Sequence, residues 1–130
     1  MKEPVWIREI EALAFHAQQI AFFGGSDGVR DRGLLNSALA RPKNRFAYAE
    51  GALTMAELAA AYAKGISSNH PFVDGNKRTA MEVAFVFLEF NGIAVTASQE
   101  EACMAFLTLA AGEITEVELA LWFAEHTAAL

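Results

Sequence analysis

His70-Pro71-Phe72-Val73-Asp74-Gly75-Asn76-Lys77-Arg78-Thr79-Ala80 gathers an imidazole, a carboxylate, a carboxamide and two cations in a chain that is 54% hydrophobic. Pro71 and Gly75 punctuate this stretch as a loop, whereas Thr79 to Phe90 runs through Ala, Met, Val, Phe and Leu at helical spacing without a breaker and is hydrophobic nearly all round, as a central buried helix should be. A loop therefore feeds a helix whose first turn lies near Gly75 to Arg78. The leading amides of a helix have no partner within it, and its dipole leaves partial positive charge at that end, so backbone alone can hold an anion there. Gly75 has no side chain to obstruct the approach. Lys77 and Arg78 add full charges beside the amides, and the planar fork of Arg78 suits phosphate oxygens. Together they make a polyphosphate cradle.

Two more groups give the cradle chemistry. Asp74 is a hard oxygen ligand able to hold Mg²⁺ against phosphate oxygens, a task for which one or two carboxylates suffice. His70 carries the side chain most suited to taking a proton from an attacking hydroxyl at neutral pH. Base, metal ligand and anion site within one turn of chain are what phosphoryl or nucleotidyl transfer requires. The competing reading is a helix start decorated with polar residues, His70 and Asp74 merely capping or pairing.

At these residues the sequence resembles the Fic/Doc family, whose signature reads His-x-Phe-x-Asp/Glu-Gly-Asn-x-Arg; His70, Phe72, Asp74, Gly75, Asn76 and Arg78 all match. Lys77 after the Asn, and Met81 where Fic adenylyltransferases carry a second Arg, is similar to the death-on-curing branch. The similarity continues upstream through His16, Gly24-Gly25, Gly28-Val29-Arg30-Asp31, Leu34-Leu35, Ser37-Ala38-Leu39 and Tyr48, and downstream through Asn91-Gly92. Ser68 departs from that branch, which has Arg two residues before the His. The resemblance implies an all-α, compact, single-domain fold over residues 1–130, with a central buried helix and a short β-hairpin-like flap. It also implies a toxin of a toxin–antitoxin pair that moves the γ-phosphate of ATP to a hydroxyl of a translation factor similar to elongation factor Tu, and a small antitoxin partner. Carried over residue by residue, His70 is the base, Asp74 the Mg²⁺ ligand, and Asn76, Lys77 and Arg78 the phosphate holders beside Gly75; Phe72 supports the loop from the core. The alternatives are a Fic-type nucleotidyltransferase that attaches AMP, and a non-catalytic module that binds nucleotide or peptide.

The rest of the chain agrees with one folded unit. Its 130 residues suffice for a real core, and 20% charged residues argue against disorder. A net charge of −6 gives no global field toward nucleic acid or an anionic membrane. Lone Cys103 excludes an internal disulfide, fits a reducing cytosol and reads as a small buried residue. No apolar run reaches membrane-spanning length and Met1-Lys2-Glu3-Pro4 lacks a signal-peptide pattern, so a cytoplasmic protein is expected.

Along the chain, Trp6, Ile10, Leu13, Ala17 and Ile20 form a helical stripe that Gly24-Gly25 ends, with His16 beside it reading as a packed or surface histidine. Asp31 caps a short helix expected to close at Pro42. Lys43 to Glu50, with Phe46 and Tyr48, reads equally as the flap or as a connecting loop; Arg41, Lys43 and Arg45 read as solvated cations, the alternative being that they hold a nucleotide or an acidic partner. Capping boxes at Thr54/Glu57, Ser98/Glu101 and Thr115/Glu118 open three further helices.

Overall fold

The computed structural model describes residues 3–130; Met1 and Lys2 lie outside the described residues. Six helices and one two-stranded ribbon follow in order: α1 Glu9–Phe23, α2 Arg32–Tyr48, α3 Met55–Asn69, α4 Asn76–Phe90, β1 Ile93–Val95, α5 Gln99–Ala110, α6 Glu116–Glu125 and β2 Thr127–Ala129. The capping residues set the starts. Thr54, Ser98 and Thr115 each accept from the amide three residues on, and Glu57, Glu101 and Glu118 each reach back to the cap amide. Asp31 caps α2 through the Leu34 amide at 2.9 Å. The all-helical expectation holds, and β1 obtains the partner that three residues need by pairing antiparallel with β2, Ala94 opposite Ala128.

The buried centre is α3 rather than α4. Leu58 to Ala63, Gly65, Ile66 and Ser67 are all buried, and α2, α4 and α6 pack around them. Alanines explain this placement: Ala59, Ala60, Ala61 and Ala63 let neighbouring helices approach closely, while α4, alongside, keeps Glu89 and Phe90 exposed. At the tightest crossing, Gly65 meets Ala38 of α2, where a Cβ would lie 3.3 Å from backbone. Phe87 of α4 packs on Tyr62 and Trp6; Phe85, Phe106 and Phe123 join edge-on at the α4–α5–α6 junction.

Three further features differ from the sequence expectations. First, α2 does not close at Pro42 but continues to Tyr48, so the segment Lys43 to Glu50 holds helix and turn where a hairpin-like flap or a connecting loop was expected. Proline at 42 removes one N–H from the ladder, yet the helix beyond it is held by tertiary contacts: Arg41 and Arg45, one turn apart, both pair with Glu116 of α6, and Phe46 packs edge-on against Trp6. Those arginines are thus bridging cations rather than purely solvated ones. Second, α1 starts at Glu9 and turns Ala12 and His16 inward, leaving Ile10 67% exposed; Trp6 precedes the helix. Third, Cys103 is exposed, because α5 buries the face of Ala102, Ala105, Phe106 and Leu109.

Candidate functional site

The motif loop hangs between the end of α3 and the start of α4. His70 is the C-cap of α3, in the left-handed region at φ 48°, and its side chain is exposed. Phe72 plunges inward and is 1% exposed, fixing the loop from beneath as expected. Gly75, at φ 75°, is the N-cap of α4, and no side chain caps that helix. The contrast with the oxygen-capped starts of α2, α3, α5 and α6 has a chemical result: the amides of Asn76, Lys77 and Arg78 open outward beneath the loop.

A cleft of about 550 Å³ lies over this turn, lined by His70, Val73, Asp74, Gly75, Asn76, Lys77, Arg78 and Ala110. The structure thus brings together His70, Asp74, Gly75, Asn76, Lys77 and Arg78. No acidic side chain pairs with Lys77 or Arg78 among the described residues. Arg78 is nonetheless held: Nη2 donates to the Gly24 carbonyl at 3.1 Å and the guanidinium lies 5.4 Å from the Phe23 ring centroid. Asn76 is placed otherwise than its motif position suggests. Its Nδ2 donates to the Phe72 carbonyl and its Oδ1 accepts from the Phe72 amide, both at 2.9 Å. The carboxamide closes the loop, so Asn76 offers the cleft its backbone N–H.

Asp74 is exposed but not loose. Its Oδ1 accepts from the Gly75 amide at 2.8 Å and its Oδ2 from the Ser26 amide at 3.3 Å. These two bonds, the Gly75 one foremost, hold its carboxyl below the usual carboxylate range, with smaller help from Arg78 and His16. Each oxygen keeps a lone pair beyond its amide bond. One ionised carboxylate of this kind suits a cation that arrives on phosphate oxygens, since Mg²⁺ is usually shared between a protein carboxylate and a substrate. No cluster of three or more His, Cys, Asp or Glu occurs among the described residues, so the protein by itself builds no closed metal cage.

Two residues outside the motif complete the site, and neither was assigned a role from sequence. His16, 3% exposed, donates from Nε2 to the Asp74 carbonyl at 2.8 Å and stacks on Phe72 with 3.9 Å between ring centroids; its Nδ1 faces Asp27 Oδ1 at 3.9 Å. Arg30 reaches the far side of the loop, where its side chain donates to the carbonyls of Asn69 and His70. The glycine-rich turn after α1 closes around Asp74: a Cβ on Gly25 would fall 2.6 Å from Asp74 Oδ2. Their signal lay in the upstream pattern His16…Gly24-Gly25…Gly28-Val29-Arg30-Asp31, which makes sense only once these residues are seen to embrace the motif.

The sequence model of the Fic/DOC family matches residues 6–88, well over half of the chain and the span that holds every residue just described except Ala110. The chain belongs to the Fic/Doc family. Among curated relatives, a protein named Toxin Doc from Mycolicibacterium smegmatis is 43% identical over 75 residues, 58% of this chain and 58% of the relative's length. Another, named Protein kinase doc, from Escherichia phage P1, is 37% identical over 107 residues, 81% of this chain and 82% of its own. The Fic/Doc assignment accounts for the site's placement, because the family match begins ahead of α1 and ends inside α4, with the motif loop in its second half.

Proposed function

We propose that this Fic/Doc chain is a Doc-like toxin of a toxin–antitoxin pair that transfers the γ-phosphate of ATP to a hydroxyl of a translation factor similar to elongation factor Tu. The observation that carries the reading is the convergence of His70, Asp74, Lys77 and Arg78 on one cleft over the uncapped start of α4. The amides of Asn76, Lys77 and Arg78 and the two cations bind the distal phosphates. His70 accepts the proton of the target hydroxyl as its oxygen forms a bond to the γ-phosphorus, and the bond to the bridging oxygen breaks with its electron pair leaving on ADP. Asp74 would hold a Mg²⁺ ion, whose chemistry there would be to neutralise charge on the phosphate oxygens. Hydrogen bonds to both oxygens of Asp74 keep it ionised and aimed for that task. In place of a second phosphate-binding Arg stands Met81, half-buried against the core, which favours phosphate over nucleotide transfer.

The relatives' names, Toxin Doc and Protein kinase doc, support the toxin and transferase parts of this reading. A small antitoxin and a translation factor are the partners that follow from it; among the described residues no helix is long and apolar enough to cross a membrane. The test is incubation of the purified protein and Mg²⁺ with a bacterial translation factor and ATP labelled at either the α or the γ position. Label transferred from γ is expected. Transfer from α replaces the reading with nucleotidyl transfer, and transfer from neither, with normal growth of a bacterium expressing the chain alone, overturns it.

A further inference from the structure

Three successive carbonyls, those of Asn69, His70 and Pro71, accept from a single two-residue stretch on the other side of the loop. Arg30 Nη2 donates to Asn69 O at 2.9 Å and Nε to His70 O at 2.8 Å. The Arg30 amide then donates to Pro71 O at 2.7 Å and the Asp31 amide to the same oxygen at 3.0 Å. Both peptide planes that flank His70 are therefore fixed from outside.

His70 needs such fixing. Its φ of 48° lies where residues with a Cβ seldom settle, and its imidazole has no hydrogen-bond partner among the described residues to orient it. The direction of the ring into the cleft is set by its backbone. The backbone is set in turn by the guanidinium, whose Nε and Nη2 stand at a rigid mutual angle that a flexible ammonium does not reproduce. Arg30 is itself mounted firmly: Val73 N donates to Gly28 O at 3.1 Å, Val29 bridges to Phe72, and Asp31 caps α2. A bland alternative is a cation placed at the C-terminal end of α3, where the dipole favours it. That alternative affects stability alone.

We infer that Arg30 is a positioning residue of the transfer site, holding His70 in the left-handed conformation that presents its imidazole to the first turn of α4. The inference rests on the proposed transfer reaction, in which His70 takes the proton. Misplacing a catalytic group by about 1 Å costs on the order of 100-fold in rate. Arg30→Ala is therefore expected to lower kcat by about that factor with KM for ATP changed less than about threefold, a split that loss of a mere helix cap does not produce. Arg30→Lys, which keeps the charge but reaches one carbonyl, is expected to fold like the parent and recover only part of the rate. Arg32→Ala, which breaks a surface ion pair with Glu9 two residues away, serves as the control and leaves kcat unchanged. Independently of activity, the His70 amide and ring resonances are expected to shift in both Arg30 variants and to stay in place in the control. If kcat stays within about twofold of the parent in Arg30→Lys, or in a folded Arg30→Ala, while only the melting temperature falls, Arg30 is a helix cap and the inference fails. Unmoved His70 resonances overturn it as well. Absence of transfer by the parent protein instead removes the reaction on which the catalytic role rests, and the two failures are told apart by the resonances.

Discussion

His70 and Asp74 stand four positions apart and are held by opposite means. The imidazole is exposed and free of side-chain bonds among the described residues, whereas the carboxylate is gripped by two amides. Removing the first should therefore cost chemistry and little else. His70→Ala is expected to lower transfer by about 10²- to 10⁴-fold, the usual worth of a general base, with melting temperature and nucleotide affinity near those of the parent; calorimetry beside the rate assay checks both halves. Asp74 is the residue whose environment sets a pH window. Its pKa is lowered, so what ionisation contributes to the site and to stability is present above the ordinary value of 3.8 and is lost only as pH falls through the lower folded one. A pH series of Mg²⁺ affinity should accordingly show no Asp74 step above that ordinary value, and Asp74→Asn should raise the Mg²⁺ requirement. Gly25→Ala should do so indirectly, by about tenfold or more, because its Cβ would stand 2.6 Å from Asp74 Oδ2 at a φ of 116° that disfavours any side chain; an Mg²⁺ titration of transfer reads it. The motif residues were legible because their chemistry is written in consecutive positions. His16 was not, since its partner Asp74 is 58 residues away, and the resemblance that makes Asn76 a phosphate holder carries no sign that its carboxamide closes its own turn.

Among the elements, the crossing of α2 and α3 has the least slack. Gly65 would place a Cβ 3.3 Å from Ala38 Cα, Cβ and O at once, and backbone cannot move aside as a side-chain tip does. Gly65→Ala is expected to destabilise by about 1–3 kcal/mol, the common cost of overpacking a tight interface, despite the better helix propensity of alanine; a lowered denaturant midpoint with unchanged slope checks it. Helix starts were readable from Thr54, Ser98 and Thr115 because a capping box is local. The end of α2 was not, because what carries the helix past Pro42 is a carboxylate on α6, Glu116, more than seventy residues further on. Nothing within Lys43 to Tyr48 announces that partner.

At the scale of the whole molecule, Tyr62 joins the layers. Its ring packs on Phe87 of α4, and its oxygen accepts from the Ile7 amide at 2.9 Å, tying the segment before α1 to the centre. Burial, the dominant cause, raises its pKa well above the usual 10.0, with Glu11 adding to the shift and the Ile7 bond opposing it. A raised folded value means that the contribution is complete below about 10 and is lost as pH climbs toward the folded pKa. Urea midpoints measured across that range should fall more steeply for the parent than for Tyr62→Phe. The variant should start lower by about 1–3 kcal/mol, since the Ile7 N–H loses its acceptor. Individual helices were readable from helical periodicity and capping, and the all-α fold class from the family resemblance. The choice of hub was not: hydrophobicity pointed to α4, whereas close approach, which alanine and glycine permit and hydropathy does not measure, put α3 at the axis.

Because α3 is sheathed by α2, α4 and α6 over nearly its whole length, its amide protons should trade with deuterium only when the entire domain opens. His70 is the next residue after that helix. The group proposed to start the reaction is thus fastened to the segment that is last to breathe, and local loosening at the surface would leave its anchorage intact.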